Sequence, residues 1–160
     1  MKRVPVILQM TPHECGAACL AMVLSYFGRA TTLTECRRYL HSGRDGLTAR
    51  AIAQAARDLG LRVRALSLEP AGLAQVRGPA IVHWTFDHFL VLERWTPQAV
   101  EVVDPAVGRR RLSPAEFNAG FTGVILLMEP GAGFNPGRRA ANPLGTAISG
   151  NCCARRAQPA

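Results

Sequence analysis

The chain has 160 residues, 48% of them hydrophobic, and a formal net charge of +8. That length supports one hydrophobic core and little more, so a single globular domain is expected. The charge raises nucleic acid as a partner, but the Arg residues are scattered, at 37–38, 109–111, 138–139 and 155–156, and aromatics make up only 6%. Basic stripes interleaved with stacking rings are missing, so no nucleic-acid partner is expected and the charge reads as solvated faces.

Helix starts come first along the chain. Thr11-Pro12-His13-Glu14 is a capping box with Pro at the first helical position. It predicts a helix through residues 15–27 that stops at Gly28. Ala17, Ala18, Cys19, Leu20, Ala21, Met22, Val23 and Leu24 leave no polar face, which predicts a buried central helix. Thr32-Leu33-Thr34-Glu35 is a second capping box, for a short helix ending near His41, and residues 43–46 read as a turn. Thr48 caps a third helix with Ile52, Ala55, Ala56 and Leu59 on one face and Gly60 as its stop.

After Gly60 the period changes from helical to alternating. Residues 61–68, 79–84, 88–95, 99–103 and 107–112 are short, β-rich and punctuated by Pro, Gly or Asp. Residues 70–76 fit a helical turn. Ser113-Pro114-Ala115-Glu116 caps one more short helix, and residues 123–128 form a last strand before Pro130. The predicted fold is α+β: three helices, then an antiparallel sheet of about five strands. From Gly131 onward Gly, Pro and Arg replace any periodicity and no acid occurs. Residues 1–130 are therefore expected as the domain and 131–160 as a disordered basic tail or linker.

Residues 4–10 are broken by Pro5 and Gln9, so no secretory signal is expected. No apolar run approaches the roughly 18 residues of a membrane span. Reduced cytoplasmic thiols follow as the expectation for the cysteines at 15, 19, 36, 152 and 153.

Cys15 lies in the first turn of the buried helix, where free N–H groups and the positive end of the dipole stabilise a thiolate. Cys19, a turn deeper, is expected to be an inert small hydrophobe; packing is also the common role for a cysteine like Cys15. His88 opens a strand after the turn Thr85-Phe86-Asp87, and Asp104 ends another before Pro105. If the two strands pair, His88 and Asp104 share one end of the sheet, where an Asp fixes the imidazole tautomer. Plainer roles exist for each, a hydrogen-bonded half-buried His and a turn-starting Asp. Gln9 reads as an ordinary loop residue or as an amide donor near the nucleophile.

The run Gln9-Met10-Thr11-Pro12-His13-Glu14-Cys15-Gly16-Ala17-Ala18-Cys19-Leu20 resembles the nucleophile motif of the C39 peptidase family, the peptidase domain of bacteriocin-processing ABC transporters. Arg44-Asp45-Gly46-Leu47-Thr48 is similar to the family's next landmark. Pro79-Ala80-Ile81-Val82-His83-Trp84, leading to Asp87-His88-Phe89-Leu90-Val91-Leu92, is similar to its histidine motif, and Val102-Val103-Asp104-Pro105-Ala106 to its Asp-Pro motif. The resemblance covers residues 4 to 130. It implies a papain-like fold, Cys15, His88 and Asp104 as a triad, and Gln9 completing the oxyanion hole. It also implies a precursor peptide with a Gly-Gly or Gly-Ala leader as substrate, a membrane ABC exporter as partner, and residence at the cytoplasmic face of the inner membrane. Trp84 reads as a channel wall or a core aromatic. No G-x-x-x-x-G-K-[ST] loop occurs in these residues, so the family's ATPase activity is not implied.

Two other readings compete. One is a non-catalytic leader-binding module, against which the joint presence of Cys15, His88, Asp104 and Gln9 argues. The other is a zinc module using His13, Cys15, Cys19, Cys36 and His41, disfavoured because no compact C-x-x-C pair exists. No metal or cofactor is expected.

Overall fold

The computed structural model describes residues 2–40 and 47–137. The first helix is entered in two steps: a 3-10 turn at Pro12–Glu14, then α1 (Cys15–Tyr26). The Glu14 carboxylate accepts the N–H groups of Met10 and Thr11 at 3.0 and 2.9 Å and pairs with Arg37, tying the approach segment to the helix start. Residues 15–24 of α1 are all buried, as a helix without a polar face must be. Thr32 and Thr48 accept the N–H groups of Glu35 and Ala51 and so cap α2 (Leu33–Tyr39) and α3 (Ala49–Asp58). The expected end of α2 at His41 and the turn at 43–46 lie outside the described residues. α3 buries Ile52, Ala53, Ala55 and Ala56 and exposes Gln54 and Arg57.

The strands are β1 (Leu61–Ser67), β2 (Ala80–Trp84), β3 (His88–Trp95), β4 (Val100–Asp104), β5 (Gly108–Leu112) and β6 (Phe121–Pro130). A 3-10 segment, Pro70–Gln75, follows β1, and α4 (Pro114–Gly120) precedes β6. All neighbours pair antiparallel in one sheet ordered β1-β6-β2-β3-β4-β5. The sheet has six strands where about five were expected. β6 begins at Phe121, earlier than predicted, and pairs along one edge with β1 and along the other with β2. It inserts between them and so brings β1 into the sheet. The architecture is α+β, with helices packed on an antiparallel sheet.

Alternation along β3 feeds two cores. Phe89 and Val91 face α1 and α3, while Leu90 and Leu92 face a second cluster that includes Phe117 of α4. Trp84 sits at the edge of that second cluster, and its Nε1–H donates to the Phe117 carbonyl at 3.3 Å. A Cβ on Gly120 would overlap Trp84 Nε1 and Cε2. Gly120→Ala is therefore expected to destabilise by about 2–3 kcal/mol through overpacking. A denaturant midpoint unchanged from wild type would show that Trp84 can move aside at no cost.

Gly60 ends α3 with φ +92, where a Cβ would lie 2.8 Å from the Gly133 carbonyl oxygen. Residues 131–137, expected to open a disordered tail, pack here. Gly131 N–H donates to Gly60 O and Gly137 N–H to Gly28 O, both at 3.0 Å, and Phe134 meets Phe27 edge-on at 6.4 Å. The rest of the expected tail, 138–160, lies outside the described residues.

Candidate active site

β3 starts at His88 and the antiparallel β4 ends at Asp104, so both residues stand at one end of the sheet. His88 Nε2 lies 2.8 Å from Asp104 Oδ1. The same Oδ1 accepts Ala106 N–H at 2.8 Å, and Oδ2 accepts from Arg110 Nη1 at 3.3 Å. Arg110 also lies over the Trp84 ring, 5.6 Å from its centroid. Three donors thus hold a carboxylate that is only 4% exposed.

α1 packs across β3, and one contact sets its register: Cys19 Sγ donates to the Phe89 carbonyl at 3.3 Å. One helical turn earlier, Cys15 falls beside His88, close enough for its thiol to affect the imidazole. With Nε2 committed to Asp104, Nδ1 is the ring nitrogen left for Cys15. The hydrogen bond that His88 donates to Asp104, and then the neighbouring Cys15, outweigh burial and push the His88 pKa up to about 9. Burial alone would raise Asp104, but the hydrogen bonds from His88 and Ala106 hold its carboxyl below the usual value. Cys19 is wholly buried, and desolvation raises its thiol pKa well above normal.

Gln9 arrives from the opposite direction. Val4 N–H donates to Glu93 Oε1 at 2.7 Å, and Arg109 bridges the Val4 carbonyl and Glu93, which pins the start of the chain to the sheet. The chain then runs back until Gln9 N–H donates to Pro105 O at 2.8 Å, next to Asp104. The Gln9 Oε1 atom is buried and has no hydrogen-bond partner among the described residues. Rotation about the last side-chain bond exchanges its oxygen and NH₂ ends, so the amide can present a donor there.

A cleft of about 230 Å³ opens on Cys15, lined by Pro12, His13, Leu47, His83, Phe86 and Phe89. Trp84 is not in its lining; it packs as a core aromatic. Among the described residues no three His, Cys, Asp or Glu side chains come together as a metal site. Of the zinc-module set, Cys36 is buried in α2 with its thiol pKa pushed up to about 12 by desolvation, and His41 lies outside the described residues.

The peptidase C39 family model matches residues 3–133, which include every residue of this cluster. The chain belongs to the peptidase C39 family. It is 42% identical over 133 residues to the colicin V secretion/processing ATP-binding protein CvaB of Escherichia coli, a match covering 83% of this chain and 19% of that protein. The crystal structure of a double glycine motif protease from an AMS/PCAT transporter, in complex with the leader peptide, is 40% identical with a TM-score of 0.76, covering 81% of this chain and 93% of that one. The peptidase domain of Streptococcus ComA, at 24% identity and a TM-score of 0.74 over 81% and 99% of the two chains, shares the fold. This C39 chain thus spans about a fifth of the length of the transporters it matches. Among its described residues no helix is long and apolar enough to cross a membrane.

Sequence reasoning passed over three groups at this site. Glu14, a cap by its sequence position, also ties down the loop that carries Gln9. Arg110, one of the scattered arginines, supports Asp104. Phe86, a turn residue by its neighbours, stands at the cleft rim, 83% exposed. Thr85 and Phe86 have φ of +51 and +64, and left-handed non-glycine residues cost about 1–3 kcal/mol each. The available signal was a turn between two β-rich runs that contains no Gly or Asn.

Proposed function

We propose that this C39 chain is a cysteine endopeptidase that removes double-glycine-type leaders from ribosomally made precursor peptides, on the cytoplasmic side of the membrane and in step with export by an ABC exporter. The observation that carries this reading is the His88–Asp104 contact at 2.8 Å with Cys15 beside the same ring. An imidazole whose pKa is pushed up to about 9 is a suitable proton donor and counter-ion beside an attacking sulfur.

In this mechanism Cys15 Sγ attacks the carbonyl carbon of the second glycine. The Cys15 N–H at the start of α1 and the Gln9 amide receive the oxyanion. His88 gives its proton to the leaving amine as the C–N bond breaks, leaving a thioester. Water then attacks with His88 taking its proton, and the C–S bond breaks to free the acid. Asp104 holds the ring and balances its charge, with Arg110 and Ala106 N–H fixing the carboxylate.

A second groove, of about 500 Å³ between β1, β6 and residues 72–77, offers Leu66, Leu68, Val76 and Leu127 with Arg62, Arg64, Arg77 and Glu129 around them. An amphipathic leader helix with apolar residues at i, i+3 or i+4 and acids beside them suits that groove.

The reading is tested by incubating the purified chain with a synthetic double-glycine leader peptide and locating the cut by mass spectrometry. Glycine two residues before the cut is expected to matter most, because the acyl side must bring its carbonyl to within about 3–3.5 Å of sulfur along a channel too narrow for a Cβ. Ala or Val at that position should lower kcat/KM by about 10²-fold or more, and changes after the cut by far less. An alanine there cut as fast as glycine would remove the double-glycine assignment.

A further inference from the structure

We propose that Phe86 is a specificity-determining residue that grips an apolar side chain of the peptide just before the Gly-Gly pair; this rests on the peptidase reading above. The Phe86 ring is 83% exposed at this turn. Its position is enforced. Thr85 N–H donates to Gly120 O at 2.7 Å, Thr85 Oγ1 to Asp87 Oδ1 at 3.1 Å, and two consecutive non-glycine residues take left-handed backbone angles. Glycine or asparagine would relieve that conformation, and neither is present. Strain of this kind persists where the tip must present a particular side chain.

The ring is placed to be used. Phe86 meets His83 edge-on at 6.3 Å, and His83 in turn lies 4.9 Å from Phe89. The His83 ring is itself fixed by Nδ1, 3.0 Å from Thr122 Oγ1. Phe86, His83 and Phe89 thus form one aromatic wall of the cleft that holds Cys15, and Leu47 and Pro12 stand in the same lining. The free face of Phe86 has no partner among the described core clusters. An aliphatic or aromatic side chain of the substrate, entering between Phe86 and Leu47, would bury both and seat the scissile carbonyl near sulfur.

Four proteins test this: wild type, Phe86→Ala, Phe86→Gly and Phe86→Tyr, each also on a Cys15→Ala background. The probe is a synthetic leader peptide with Leu on each side of the Gly-Gly pair. Phe86→Ala and Phe86→Gly should both lower kcat/KM by about 10–100-fold, while Phe86→Tyr stays within about threefold. Kd for the same peptide, measured by fluorescence anisotropy with the Cys15→Ala proteins, should rise by about tenfold or more in the first two. Alkylation of Cys15 by iodoacetamide, followed on its own tryptic peptide, should keep the wild-type rate. Phe86→Gly should melt above Phe86→Ala, because glycine relieves the left-handed backbone that alanine keeps.

Unchanged kcat/KM and Kd in Phe86→Ala would overturn the proposal. So would recovery of activity in Phe86→Gly alone, since the loss would then follow strain and not the ring. A parallel fall in Cys15 alkylation would instead make the tip a support for His88. If wild type cut no peptide but Kd still rose in Phe86→Ala, the peptidase reading would fail while the contact stood. Cleavage by wild type with no effect of Phe86 would do the reverse.

Discussion

Cleavage of a double-glycine leader peptide is expected to fall by about 10⁵-fold or more in Cys15→Ala, with the fold intact. Alanine is the better helix former, and the change removes little volume from a position that already contacts solvent through the cleft. Cys19→Ala is expected to behave in the opposite way. Its thiol is 0% exposed and donates to Phe89 O, so shrinking it should cost about 1–2 kcal/mol of stability and leave kcat within about threefold. Circular dichroism melts beside a peptide-cleavage assay separate the two. Exchange of the two phenotypes would put the nucleophile at Cys19.

The second large effect concerns the pair behind the thiol. His88→Ala removes both the counter-ion and the proton donor, and should lower kcat/KM by about 10³–10⁴-fold. Asp104→Asn should cost only about 10–100-fold, because its carbonyl oxygen can still accept from His88 Nε2 and a Cys-His-Asn arrangement is a working variant of the triad. The pH profile shows the difference in mechanism. Asp104 is the largest cause of the upward shift of His88 to about 9, so wild-type kcat/KM should fall on the alkaline side near that value. In Asp104→Asn the limb should move down toward the ordinary imidazole value of about 6.5.

The same linkage predicts stability. The folded pKa of His88 lies above the unfolded one, so its contribution is fully present below about pH 6.5 and is lost as pH rises through about 9. Asp104 has the opposite sign: its contribution is present above its ordinary value and lost as pH falls through the lowered folded value. An alkaline limb that stays in place in Asp104→Asn would show that another group sets the basicity of His88. Equal and complete loss in both variants, with folding verified, would show that Asp104 does more than orient the ring.

Much of this site is local information. Thr32, Thr48 and Ser113 mark helix starts because a short polar side chain accepts from a backbone N–H only three residues away. The apolar run after Cys15 marks a buried helix, and alternation marks the strands, because both follow from the period of the backbone. Placing His88 and Asp104 at one end of the sheet needed one further step, that neighbouring strands run antiparallel. The family motif then assigned roles to four residues that composition and period left open.

What escaped that reading depends on contacts between residues far apart in the chain. β6 inserts between β1 and β2, and nothing in residues 121–130 alone says which strands will flank it. Val4 reaches Glu93 across 89 positions and thereby turns Gln9 toward Pro105. Cys19 meets Phe89 across 70 positions and so sets Cys15 against His88. Phe86 is the clearest case: its sequence neighbours make it a turn residue, and only the packing of Thr85 on Gly120, His83 on Phe89 and α1 across β3 places it in the cleft with Cys15. Hydrogen bonds and periodicity within a few residues are encoded where they occur, whereas a cleft is assembled from surfaces that meet only once the core has closed.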